Sequence, residues 1–236
     1  MIYITGDTHG ELHALTENRH LPDKPAFTAQ DKLIVCGDFG FVFEVRRTNE
    51  RYWDDDKLDY LEQFFPAEIL FVSGNHENFD RLATYPQEER CGGTVRRIRK
   101  NIFLLQRGEV YVMEGKKFFT FGGAYSIDKA WRTPGKSWWP QELPSPEEYR
   151  HASENLQRHD NTFDYIITHT CPERAIYWMK KSPDRHDAEL TGFLDWLYTT
   201  AHFRQWYFGH WHIDESLDDG KLIACYEKIY PLPDSA

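Results

Sequence analysis

No apolar run in the 236 residues approaches the roughly 20 that a helix needs to cross a bilayer. The opening MIYITGD has neither the basic start nor the long apolar stretch of a secretory signal. Cysteine is scarce: Cys36, Cys91, Cys171 and Cys225 stand far apart and form no CxxC pair. That spacing argues against a disulfide framework or a zinc knuckle and predicts free, mostly buried thiols in a reducing compartment, hence a cytoplasmic protein. Positive charge is also short. Lys and Arg number 28 against 38 Asp and Glu, a formal net charge of −10. An acidic surface repels nucleic-acid backbones and anionic lipid, so neither is expected as a bulk partner. The one basic run, RRIRK at 96–100, reads as a solvated strand face. Internal repeats and low-complexity segments are absent.

With 40% hydrophobic and 16% aromatic residues the chain can bury a sizeable core, and no linker divides it, so residues 1–236 are expected to form a single domain. Its pattern is strand, turn, helix, repeated. MIYIT, KLIVC, EILFVS, DYIITHT and QWYF are short apolar strands. RYWDDDKLDYLEQFF spaces Trp53, Leu58, Leu61 and Phe65 at helical intervals. Residues 94–121 read as four adjacent, antiparallel strands. A stretch rich in Gly, Pro and Trp follows, and 124–146 is expected to be a long loop over the sheet, suited to capping a substrate. Ser145 and Pro146 then open a helix, DAELTGFLDWLYTTAHF suggests another, and DDGK marks a hairpin turn. The sum is a layered α/β protein, with two sheets face to face and helices outside.

Chemistry gathers just after the apolar strands: Asp7 and His9 after the first, Asp38 after the second, Asn75 and His76 after the third, His169 after DYIIT, and His210 and His212 after QWYF. Each has an ordinary explanation alone. Asp7 suits a helix cap, Asp38 a turn, GNHE a tight turn, and His169 a packed histidine. Together, at the carboxyl ends of successive strands where α/β proteins place their ligand sites, they point to metal. In an extended chain, His210 and His212 would point to one side.

The set DTH at 7–9, GD at 37–38, GNHE at 74–77, TH at 168–169 and GHWH at 209–212 resembles the calcineurin-like metallophosphoesterases. The resemblance implies a four-layer αββα sandwich, with two mixed sheets flanked by helices. It also implies two divalent ions, the first held by Asp7, His9, Asp38 and His212, the second by Asp38, Asn75, His169 and His210. Mixed nitrogen and oxygen ligands favour Mn2+, with Fe, Zn2+ or Co2+ as alternatives. The implied reaction is hydrolysis of a phosphate ester by a hydroxide bridging the two metals. His76 would protonate the leaving oxygen, and Glu77 would support the loop or cap a helix.

One departure bears on the substrate. The protein phosphatase branch carries Asp-Arg-Gly after the second motif, whereas here GDFGFVFEVRR has none. A small phosphomonoester or phosphodiester such as a nucleotide is therefore the expected substrate. A phosphoprotein, and hence a serine/threonine-type phosphatase, is the alternative, and a non-catalytic binding scaffold of the same fold the more distant one. The missing arginine leaves Arg132 as first candidate to bind phosphate, with Arg46 and Arg47 behind it. The remaining histidines, His13, His20, His151, His159, His186 and His202, read as surface or structural.

Overall fold

In the run Leu33-Ile34-Val35, alternate side chains enter different cores. Leu33 and Val35 pack with Leu58, Leu61 and Phe65, while Ile34 packs with Leu70, Phe118, Tyr165 and Tyr207. A strand apolar on both faces must be covered on both, and that requirement builds the layers. The computed structural model describes residues 1–16, 26–46 and 51–232. Within them the chain runs β1 (Ile2–Thr5), α1 (Leu12–Thr16), β2 (Lys32–Val35), α2 (Asp55–Phe64), β3 (Glu68–Phe71), α3 (Phe79–Thr84), β4 (Gln87–Arg90), β5 (Gly93–Arg99), β6 (Ile102–Leu105), β7 (Val110–Met113), β8 (Lys116–Phe121), α4 (Pro146–Arg158), β9 (Tyr165–Thr168), α5 (Glu173–Trp178), α6 (Ala188–Thr200), β10 (Gln205–Phe208), β11 (Glu215–Leu217), β12 (Leu222–Ala224) and β13 (Tyr230–Pro231).

One sheet has the order β13-β1-β2-β3-β6-β5-β4 and the other β11-β12-β10-β9-β8-β7. Both are mixed. β1, β2, β3 and β6 run parallel, as do β8, β9, β10 and β12, with antiparallel strands at the edges. Ile4, Ile34, Leu70 and Val72 of the first sheet meet Phe118, Tyr165, Ile167 and Tyr207 of the second in a shared core. The outer face of the first sheet is covered by α2 and α3 through Leu58, Leu61 and Leu82. That of the second is covered by α4, α5 and α6 through Leu156, Ile176, Leu190, Leu194 and Leu197. The expected αββα layering with two mixed sheets is therefore present.

Two local expectations need correction. Residues 94–121 do not form adjacent strands of one sheet: β5 and β6 pair in the first, and β7 and β8 in the second. Antiparallel neighbours and strands that change sheet carry the same alternation, so the pattern does not separate them. Trp53 does not join the stripe of α2, which begins at Asp55, and the residue is 57% exposed. The start of α4 is as expected: Ser145 accepts from Glu148 N–H at 3.2 Å and Glu148 returns the bond to Ser145 N–H at 2.7 Å, with Pro146 in the first turn. The hairpin also forms, β11 pairing antiparallel with β12 across Asp218–Gly220. All four cysteines are free thiols, and Cys36, Cys171 and Cys225 are buried. Among the described residues no helix is long and apolar enough to cross a membrane.

Candidate metal centre

Because β1, β2, β3, β9 and β10 point their carboxyl ends the same way, the loops after them meet at one edge of the sandwich. Those loops bend at once. His9, Asp38, His210 and His212 all have positive φ, between 44° and 67°, a conformation that costs a non-glycine residue about 1–3 kcal/mol and clusters at functional sites. His210 and His212 are thus not in extended chain, and they do not aim at one place: the ring of His210 faces that of His169 at 5.0 Å, and His212 faces His9 at 5.0 Å. The glycines before the motif residues have a steric reason. A Cβ on Gly74 would sit 2.1 Å from Asp38 Oδ1, and one on Gly209 would sit 2.2 Å from Asp7 Oδ1.

The expected site residues converge. Ligand atoms of Asp7, His9 and His212 lie within 4.8 Å of one another, as do those of Asp7, Asp38 and His169, and those of His9, Asp38 and His76. His9 Nε2 and His212 Nε2 are 3.0 Å apart, a separation at which two imidazole nitrogens must share a proton or a cation. His212 Nε2 is 3.1 Å from Asp7 Oδ2. Beside this group, His169 Nε2 stands 3.3 Å from Asp38 Oδ1 and 3.2 Å from Asn75 Oδ1. His169 Nδ1 donates to Cys36 O at 2.8 Å, which leaves Nε2 free for a ligand. Asp38 spans both groups. Its Oδ1 faces His169 and accepts from Asn75 and His76 N–H, each at 2.8 Å, while its Oδ2 faces His9 Nδ1 at 3.9 Å.

Burial alone would raise the Asp38 carboxyl, but the neighbouring His169, His76 and His9 imidazoles hold it at about 2. Burial, with His169 adding, pushes His210 down to about 3. The Asp7 carboxylate raises His212, and burial lowers His76, with Arg132 acting in the same direction. The donors are carboxylate, imidazole and amide oxygen packed at ligand spacing, a set that fits divalent transition metals. Glu77 is fully buried and accepts from Gly74 N–H at 2.6 Å and Gly40 N–H at 3.4 Å, tying two of the loops together. The cap of α3 is Asn78, not Glu77.

The site opens into a cleft of about 690 Å³, bordered by Tyr125, Arg132, Lys181, Asp187 and Trp211. Arg132 reaches it: its Nη2 lies 2.8 Å from His76 Nε2, and its Nε pairs with Asp128 at 2.7 Å. Arg46 is elsewhere, bridged to Tyr52, and Arg47 lies outside the described residues. In the basic run, Arg96 donates to Ala83 and Tyr85 carbonyls, Arg97 pairs with Glu88, and Arg99 pairs with Asp55 and Asp59. Of the other histidines, His186 stacks on Tyr125 at the cleft and His20 lies outside the described residues. Sequence reasoning missed Ser126, Glu142, Lys181 and Asp187. Only the GGAYS run after β8 hinted at one of them.

Residues 1–214 match the model of the calcineurin-like phosphoesterase family. No curated protein matches the sequence significantly. Among solved structures, a Staphylococcus aureus protein described as a 5′-nucleotidase, solved with alpha-ketoglutarate, aligns over 97% of this chain at 15% identity and a TM-score of 0.48, and this chain spans 49% of its length. The phosphopantetheinyl hydrolase PptH of Mycobacterium tuberculosis aligns over 96% of this chain and 89% of its own at 18% identity and a TM-score of 0.46. With the family model covering residues 1–214 of 236, the chain belongs to the calcineurin-like phosphoesterase family.

Proposed function

We propose that this protein hydrolyses small phosphate esters, nucleotides among them, with a pair of divalent ions, Mn2+ before Fe, Zn2+ or Co2+. The observation that carries the reading is Asp38, whose two oxygens face two separate imidazole groups, as a carboxylate shared by two cations would. Asp7, His9, Asp38 and His212 would hold one ion, and Asp38, Asn75, His169 and His210 the other. Bound divalent ions supply Lewis acidity toward phosphoryl oxygens and make water nucleophilic at neutral pH.

The chain's own residues supply the rest. Arg132 offers a planar pair of donors to phosphate oxygens above the centre. A guanidinium only donates, so its contact with His76 makes Nε2 the acceptor. A phosphoryl group that engages Arg132 would replace that contact and free Nε2 to take up a proton from solvent, which His76 would then give to the leaving oxygen. Loop 124–146 serves as the cap, and a cleft of about 690 Å³ suits a small substrate better than a folded phosphoprotein. With only free thiols, the protein suits a reducing compartment, the cytoplasm.

The test is hydrolysis of a panel of monoesters, diesters, nucleotides and phosphopeptides by Mn2+-reconstituted protein, with and without chelator. Hydrolysis of small esters that chelation abolishes supports the reading. Preference for phosphopeptides would favour the protein phosphatase alternative, and metal-loaded protein inert to the whole panel would favour a binding scaffold.

A further inference from the structure

The buried polar chain behind Asn75 has a direction. Glu142 is fully buried, yet its carboxylate meets the Lys129 ammonium at 2.8 Å, Ser126 Oγ at 2.8 Å and Ser126 N–H at 3.2 Å. A carboxylate paired with an ammonium accepts only, so the Ser126 hydroxyl must spend its proton on Glu142. Its oxygen then accepts, and two donors point at it: Asn75 Nδ2 and Arg132 Nη1, each at 3.3 Å. An amide that gives its nitrogen to Ser126 presents its oxygen on the other side, 3.2 Å from His169 Nε2. The flipped amide would set Asn75 Oδ1 against an oxygen with no proton to give, and would turn N–H groups toward the centre. In a site this dry, either mismatch is costly, because an unpaired buried polar group loses its hydration for nothing.

We propose that Ser126 and Glu142 are positioning residues: they set the polarity of the Asn75 amide, so that its oxygen faces the second cation position, and tie Arg132 to the same hydroxyl. The loop above the cleft would thereby complete the metal site as well as cover it. This rests on the dimetal reading above. It also explains why Glu142, buried without a metal or catalytic role of its own, lies beside Lys129, which the Trp138 ring approaches at 3.8 Å.

The test is Mn2+ titration of the full chain by calorimetry, with electron paramagnetic resonance reporting the exchange-coupled ion pair. Wild type should bind two ions. Ser126→Ala should weaken the second by about 10–100-fold, the usual effect of removing a group that orients a ligand, leave the first unchanged, and replace the coupled signal with that of isolated Mn2+. Glu142→Gln, nearly isosteric, should do the same and carries the test if Ser126→Ala does not fold. Asn75→Asp presents oxygen either way round, so Ser126→Ala should cost nothing further in that background. Wild-type affinity for both ions in Ser126→Ala, or an undiminished loss in the Asn75→Asp background, would overturn the proposal while leaving the dimetal reading intact. Fewer than two ions in wild type would overturn the dimetal reading and the proposal with it.

Discussion

Replacing Asp187 with Asn should stabilise the apo-protein at neutral pH. Asp187 borders the cleft, is 5% exposed, and precedes α6 without capping it. Its carboxylate accepts from Tyr125 N–H at 2.7 Å instead. Burial, helped by Asp184 and opposed by the Tyr125 N–H, raises its carboxyl from 3.8 to about 6. The folded chain thus holds this proton more tightly than the unfolded one. Between those two values the folded state is protonated and the unfolded state is not, so stability falls as pH rises, and the whole loss is present above about 6. At about 1.36 kcal/mol per tenfold, the loss approaches about 3 kcal/mol at pH 7.5 and is about 0.6 kcal/mol at pH 4. Asn keeps the acceptor for Tyr125 and the side-chain shape but never ionises. Urea unfolding of both proteins across this range, with chelator present so that metal binding does not enter the comparison, should therefore show the variant ahead at pH 7.5 and the two converging toward pH 4. A pH-independent difference, or a variant less stable than wild type at pH 7.5, would refute the assignment of a buried, uncompensated carboxylate.

The other expectations concern the centre itself. Asp38→Ala removes the group shared by both imidazole sets, so bound metal by elemental analysis and hydrolysis should both be lost; full metal content would contradict it. His76→Ala should keep most metal yet slow turnover by about 10²–10⁴-fold, with a larger loss for alkyl esters than for nitrophenyl esters, and an equal loss on both would argue against help to the leaving group. Arg132→Ala should weaken kcat/KM with metal content and folding intact, and Arg132→Lys should recover only part because the paired donors are gone; unchanged kcat/KM in Arg132→Ala would rule the residue out. Gly74→Ala puts a methyl 2.1 Å from Asp38 Oδ1 and 2.8 Å from His169 Nε2, so metal affinity should fall more than thermal stability does, and normal Mn2+ binding would show that the loop yields.

By itself, the sequence determined what local order can encode. Strands apolar on both faces require a covered sheet. Ser145, Pro146 and Glu148 contain the start of α4 within four residues. The motif residues after each strand announce the metal chemistry, because a parallel sheet carries every strand end to the same edge. Only the tertiary structure decided the rest. His9 and His212, 203 residues apart, come to 3.0 Å because β1 and β10 lie in facing sheets. Alternation predicted that His210 and His212 would point together, but both sit in left-handed backbone that the surrounding packing must hold, and no residue pattern announces such strain. The same alternation did not reveal that the strands of 94–121 divide between two sheets, since a strand reads alike whichever sheet it joins. Nor did it mark Ser126 and Glu142: their place depends on a loop of irregular period folding back, so that a serine and a carboxylate 16 residues apart meet behind Asn75, where water is excluded and each hydrogen bond must find its partner.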